Sequence, residues 1–278
     1  MKVQRTPWID ILQECTLRLK KRIKPLLSNL DSTGPDMGFG AGGDRLEKVD
    51  LAAEKAILDT LERHSVSFTL ISEESGTQTF GNSADECFVT TDPIDGSTNL
   101  VHHIPFYATS IAVSTEPFLQ TVHSALVADL FHGATYTAEK GKGSFRNDHR
   151  IMPSMNVSLE EAVLGMDVNS YKIEGLIARL NEVILRTKHI RHLGANALEL
   201  CYVADGTTDA FIDIRGKLRS TDMAGAWLII EEAGAMMTTS EGEPLKIRLD
   251  PREKVEFVAS GNLELHMVLL DLIGARKE

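Results

Sequence analysis

Two aspartates three positions apart, Asp92 and Asp95, stand in the segment TTDPIDGSTN (90–99), with Pro93 between them and Gly96 directly after. The apolar run before them reads as a strand, and a proline that cannot donate to a ladder predicts that it ends near Asp92. Both carboxylates can then converge on one point while the Ile94 carbonyl turns inward. Hard divalent cations such as Mg²⁺ favour that donor set, with positions left for water. Gly96-Ser97-Thr98 frees backbone N–H groups at a predicted helix start, where a phosphate can be held. The same spacing also makes ordinary Asp-Pro and Asp-Gly turns, and spacing alone does not separate the two readings.

Two further acidic segments favour the metal. Glu73-Glu74 follow the apolar run FTLIS, and one strand-end carboxylate beside another is costly without a cation. Asp222 opens DMAGAWLIIEEAG, where an aspartate is equally at home against the helix macrodipole. Together these carboxylates predict a divalent-metal site for phosphate chemistry, the cations neutralising charge and activating a water. The charge balance agrees. The 278 residues include 40 Asp+Glu against 29 Lys+Arg, a net charge of -11, which repels nucleic acid and anionic membranes. A small phosphorylated molecule reached through cations is the expected partner.

The elements that must position these groups follow from periodicity. Thr6-Pro7 is a helix entry. Trp8, Ile11, Leu12, Cys15, Leu19, Ile23 and Leu26 make one apolar stripe, ended by Pro25 and then Gly34-Pro35. Val49, Ala53, Ala56, Ile57 and Leu61 describe a second helix with Asp50 in its first turns. Strands are predicted over 67–71, 87–91, 107–115 and 121–130, followed by a hairpin closed by Gly141 and Gly143. The second half alternates, with strands over 162–168, 189–193, 209–214 and 255–260 and helices over 171–187, 195–204, 221–233 and 262–273. Strands grouped early and alternation later predict an α+β layered fold, read as one domain with packed halves of roughly 1–150 and 151–278. Cys15, Cys87 and Cys201 are scattered and form no CxxC pair, which fits a reducing cytoplasm. No apolar run approaches the roughly 20 residues of a membrane span, and charges interrupt any signal-peptide core near the N-terminus.

Asp92-Pro93-Ile94-Asp95-Gly96-Ser97-Thr98-Asn99, preceded by Ser72-Glu73-Glu74-Ser75, resembles the signature of the inositol monophosphatase family. So does Asp222-Met223-Ala224-Gly225-Ala226, running into Glu232-Ala233-Gly234. The Gly-rich stretch before Asp50 and the run Arg215-Gly216-Lys217-Leu218-Arg219 are most similar to archaeal members, which often hydrolyse both inositol 1-phosphate and fructose 1,6-bisphosphate. The resemblance implies an αβαβα layered sandwich, Mg²⁺ dependence and a homodimer. It implies a first metal on Glu73, Asp92 and the Ile94 carbonyl. A second lies on Asp92, Asp95 and Asp222, and a weaker third leans on Glu73. It further implies that Glu73 and an Asp50–Ser97 pair help activate the attacking water. Asp95, Gly96 and Ser97 meet the phosphate side of the substrate, and Gly194, Ala195 and Asp213 meet its hydroxyls. Arg191 and Arg215 either bind a second phosphate or pair with surface acids.

Departures from the family pattern are few. Ser97 stands where threonine is commoner, Thr221 where tryptophan often stands, and Asn196 where a small residue is usual. Gly42 stands where archaeal relatives carry a loop aspartate, and Asp44 is displaced from that place, so a third-metal ligand from this loop is left open. Other motifs read blandly. His102-His103 lacks a third zinc ligand and reads as loop packing. GAGG (40–43) has no GK[ST] after it and reads as a lid. Ser97 has no base for a covalent role, and Met236-Met237 read as core. Two alternatives stay in view: a 3′-phosphoadenosine 5′-phosphate phosphatase, and a non-catalytic Mg²⁺-binding regulator. The intact carboxylate set speaks against the second.

Overall fold

In the computed structural model, residues 6–27, 41, 48–82, 84 and 87–274 are described. Helix α1 (Trp8–Leu27) buries the predicted stripe of Ile11, Leu12, Cys15, Leu19 and Ile23. It continues two residues past Pro25, which removes one i→i−4 bond just before the helix ends at Leu27. Helix α2 (Lys48–Arg63) lies beside it, and both pack on one face of an eight-stranded sheet.

That sheet has the order β2-β1-β3-β4-β5-β6-β7-β8. Its strands are β1 (Phe68–Ser72), β2 (Gly76–Phe80), β3 (Phe88–Asp95), β4 (Ala108–Ser114), β5 (Val122–Asp129), β6 (Thr135–Glu139), β7 (Gly143–Arg146) and β8 (His149–Arg150). All neighbours are antiparallel except β1 and β3. A second sheet, β10-β9-β11-β13-β12, is built from β9 (Val163–Met166), β10 (His189–Arg191), β11 (Ala210–Arg219), β12 (Met236–Thr238) and β13 (Lys254–Ser260).

Side-chain alternation along the strands assigns each sheet face to a helix layer. On β4, Ile111 and Val113 face α1 and α2, whereas Ala108 and Ala112 face α5 (Asn196–Ala204) and α6 (Ser220–Ala233). The other side of α5 and α6 meets Phe211, Phe257 and Ala259 of the smaller sheet. Ile212 and Val258 point away, toward α4 (Leu176–Arg186) and α7 (Leu263–Leu272). The result is the expected αβαβα sandwich, with α5 and α6 as its central plate. A Cβ on Gly225 would lie 2.8 Å from Ser110 Oγ, so the Ala-Gly-Ala run lets α6 lie flat on β4.

Several elements differ from expectation, among them β11, which runs to Arg219 rather than ending near 214. Strand β3 runs on through Pro93 to Asp95, because a register shift against β4 between Asp92 and Asp95 removes the need for the proline's missing N–H. Helix α4 starts at Leu176 rather than near 171; Gly175, in the left-handed region, precedes it. The short strands β2 and β12 were not anticipated, since exposed Thr77, Gln78 and Thr79 and a three-residue edge carry little hydrophobic pattern.

Candidate active site

The carboxylates arrive from three elements. Glu73 follows β1, with its backbone N–H donating to Thr91 O at 3.2 Å. Asp92 and Asp95 sit on the irregular end of β3, and Asp222 in the first turn of α6. One oxygen from each of Glu73, Asp92 and Asp222 lies within 4.8 Å of the others, and all three residues are buried. Asp92 Oδ1 accepts the Ile94 N–H at 3.0 Å, which bends the backbone after Pro93. Asp95 accepts two N–H groups at the start of α5, from Asn196 at 3.1 Å and Ala197 at 2.7 Å.

Burial, then the neighbouring carboxylates, push the Asp92 and Asp95 carboxyls well above the usual carboxylate range. Glu74, beside them, is pushed up to about 9 by burial and then by Glu73, Asp50 and Glu54. A cluster of oxygen donors this hostile to its own charge fits a hard divalent cation. Part of the charge is met internally. Arg219 reaches Glu73 Oε1 through Nη2 at 2.8 Å and both oxygens of Asp222 through Nε at 3.1 Å.

A cavity of about 520 Å³ opens from this cluster. Gly96, Ser97 and Asn99 line it next to the carboxylates, and His192, Arg215, Lys217 and Lys254 line it farther along. Gly96 has φ of +86°, and a Cβ there would lie 3.1 Å from both Ala195 Cβ and Gly194 O. Only glycine lets the signature turn pass this close to the 194–195 turn. Asn99 ties the same two segments, its Nδ2 donating to Leu193 O at 2.7 Å, and it also donates to Phe106 O at 2.7 Å.

The model of the inositol monophosphatase family matches residues 10–276. The chain belongs to that family. It is, by that membership, a metal-dependent phosphoric monoester hydrolase acting on small phosphorylated substrates. A fructose-1,6-bisphosphatase/inositol-1-monophosphatase of Methanothermobacter thermautotrophicus is 33% identical over 274 residues, with 96% of each chain covered. A bifunctional NADP phosphatase/NAD kinase of Methanococcus maripaludis is 31% identical over 93% of this chain and 48% of that protein. Among solved structures, an inositol monophosphatase–fructose 1,6-bisphosphatase superposes with a TM-score of 0.81 at 30% identity, over 96% of this chain and 100% of that one. No helix among the described residues is long and apolar enough to cross a membrane.

Within this family member, Glu73, Asp92, Ile94, Asp95, Gly96, Ser97, Gly194, Arg215 and Asp222 all line the cavity. Asp50, Ala195, Asp213 and Arg191 are not among its described lining residues. Asp50 is buried on α2 and acts electrostatically on Glu74. Asp213 is wholly buried behind Arg215, which grips it through Nε at 2.9 Å and Nη2 at 2.6 Å and reaches Asp167 through Nη1 at 2.6 Å. Arg191 lies exposed on β10 and donates to Ile190 O at 2.9 Å, while His192, one residue on, lines the cavity. His102 and His103 are exposed after the short helix α3 (Ser97–Val101) rather than packed. Gly42 and Asp44 lie outside the described residues.

Four contributors escaped the sequence reading. Asn99 lay inside the signature without an assigned task. Arg219 lay in a quoted run. Asp167, just after β9, carries the same strand-end signal as Asp92 but no motif around it. Glu199 accepts from Leu193 N at 3.2 Å and Gly194 N at 3.0 Å, and burial pushes its carboxyl up to about 7. Its place on an apolar helix face was the available clue.

Proposed function

We propose that this protein is a Mg²⁺-dependent phosphatase that removes the phosphate of a sugar or inositol phosphate monoester, with inositol 1-phosphate and fructose 1,6-bisphosphate as first substrates. The observation that carries this reading is the buried Glu73–Asp92–Asp222 cluster at the end of a cavity whose next lining residues are the signature turn. Glu73, Asp92 and the Ile94 carbonyl would hold one ion, and Asp92, Asp95 and Asp222 a second. Bound there, the ions supply charge neutralisation for the phosphate and a lowered pKa for an attacking water. Transfer of a phosphoryl group needs little else than positioning and charge.

The chain's own groups share the remaining work. Gly96 and Ser97 orient the phosphate from the cavity wall. Glu73 takes the proton of the attacking water, with Ser97 on the cavity wall and Asp50 buried outside it on α2. Gly194 meets substrate hydroxyls from the cavity wall while Ala195 lies buried behind it, and Asp213 acts on that end through Arg215, which faces the cavity in its place. Asp167 and Asp213 together hold the Arg215 guanidinium fixed, so a second anionic group meets a pre-set cation. The names of the Methanothermobacter and Methanococcus relatives support a phosphate monoester of a sugar, an inositol or a dinucleotide.

We also read the chain as one domain with halves of about 1–150 and 151–278, working as a cytoplasmic homodimer. Support for the first point is the central plate of α5 and α6, which both sheets cover. For the compartment it is that all three cysteines are free. For the dimer it is the exposure of Met152, Met155 and Val157 along one segment, which sedimentation would test.

Phosphate release from inositol 1-phosphate, fructose 1,6-bisphosphate, NADP and 3′-phosphoadenosine 5′-phosphate, each with Mg²⁺ and with EDTA, tests the function. Mg²⁺-dependent release from the first two is expected. Release from the nucleotides alone would move the reading to a nucleotide phosphatase, and none from any substrate would favour the regulator.

A further inference from the structure

The cation already inside the carboxylate cluster is the feature that the reaction does not account for. Arg219 is the last residue of β11 and directly precedes α6, and its own N–H donates to Asp222 Oδ2 at 3.1 Å, so its backbone is fixed. Its side chain is only 11% exposed and spans the site, with Nη2 on Glu73 and Nε on Asp222. These are two of the three residues whose oxygens converge within 4.8 Å. Asp222 is further engaged by Thr221 Oγ1 at 3.0 Å. A guanidinium thus bonds two of the three carboxylates that would hold a divalent cation and competes with that cation for them.

We propose that Arg219 is a resident counter-cation: it holds Glu73 and Asp222 together in the metal-free protein and withdraws from them as a divalent ion binds, thereby setting the metal concentration that the enzyme requires. The inference rests on the metal site proposed above. Burial explains why such a residue is needed. Three carboxylates packed from β1, β3 and α6 repel one another, and the metal-free fold would open at this seam without a positive charge. The cavity explains how it can leave, since Arg219 lines it and the guanidinium can turn into that space while its backbone stays bound to Asp222. Arginine suits the task because its planar fork spans two carboxylates yet is more weakly hydrated than an ammonium.

The test compares wild type, R219M and R219K after EDTA treatment and dialysis, by titration calorimetry with Mg²⁺ or Mn²⁺ and by thermal unfolding with and without the metal. R219M is expected to bind the metal on the order of tenfold more tightly, the loss of a charge-assisted contact that must otherwise be broken. Its metal-free form should melt roughly 5 °C lower, and saturating metal should close most of that gap. R219K, which keeps the charge but not the fork, should fall between, and it carries the affinity comparison should metal-free R219M fail to fold. Metal affinity in both variants equal to or below wild type overturns the proposal, because a merely structural arginine weakens the site when removed. Failure of the wild type itself to bind either ion overturns the metal site and this proposal with it, and is read from the wild type alone.

Discussion

Asp95 illustrates how one side chain can carry two duties. It lines the cavity with Glu73, Asp92 and Asp222, and it accepts the Asn196 and Ala197 N–H groups at the start of α5. Asp95→Asn keeps an acceptor for one of those donors but halves the capping and removes the charge. We expect phosphate release to fall by about 100-fold or more, with circular dichroism unchanged and stability lowered by about 1 kcal/mol. Turnover near wild type would refute its place in a two-metal site. The acidic half of this constellation was legible because carboxylates at strand ends are unusual and are named by motif. The arginine that spans it was not, since an arginine beside an aspartate in sequence is ordinary, and only folding shows that Arg219 also reaches Glu73. Asp213 was legible as a polar strand residue, but the guanidinium covering it depends on a bulge between Asp213 and Leu218 that no periodicity announces.

At the scale of elements, the signature turn and the 193–195 turn work as one unit. They meet through the glycine at 96 and the donation of Asn99 to Leu193 O. Asn99→Ala leaves two carbonyls with one donor fewer each. It should cost about 1–3 kcal/mol in chemical denaturation and raise KM more than it lowers kcat, because it loosens the substrate end. Gly96→Ala should do more damage, from a Cβ placed against Ala195 and an unfavourable φ together. Element types were well marked by hydrophobic period. Their ends were not: β3 overran its proline because the sheet tolerates an irregularity there, and β11 continues to Arg219 beyond the apolar run that predicted it. Tertiary pairing decides such endings, and it is invisible in a window of ten residues.

Across the whole molecule, stability should respond to pH through a residue far from the cavity. His266 of α7 is buried and bonds Ser260 Oγ at 2.8 Å and Thr238 Oγ1 at 2.9 Å, joining α7 to β13 and β12. Burial pushes its imidazole down to about 4, against an ordinary value of 6.5. The unfolded chain therefore takes up a proton first as pH falls. This contribution is complete above about pH 6.5, declines below it and is gone near pH 4, a total of about 3 kcal/mol. Denaturation midpoints of wild type and His266→Asn between pH 7 and pH 5 should diverge less at the acid end, the variant lacking this slope. The central plate has a consequence in time rather than energy. Glu73 follows β1 and Asp92 lies on β3 of the larger sheet, whereas Asp222 opens a helix from much later in the chain, so the carboxylates meet only once α6 has docked on that sheet. A divalent ion thus finds no site in the folding chain until its slowest, most non-local contacts are made. Stopped-flow measurements should show Mg²⁺ leaving the refolding rate unchanged while slowing unfolding severalfold, so that the ion lengthens the lifetime of the finished protein without hastening its birth.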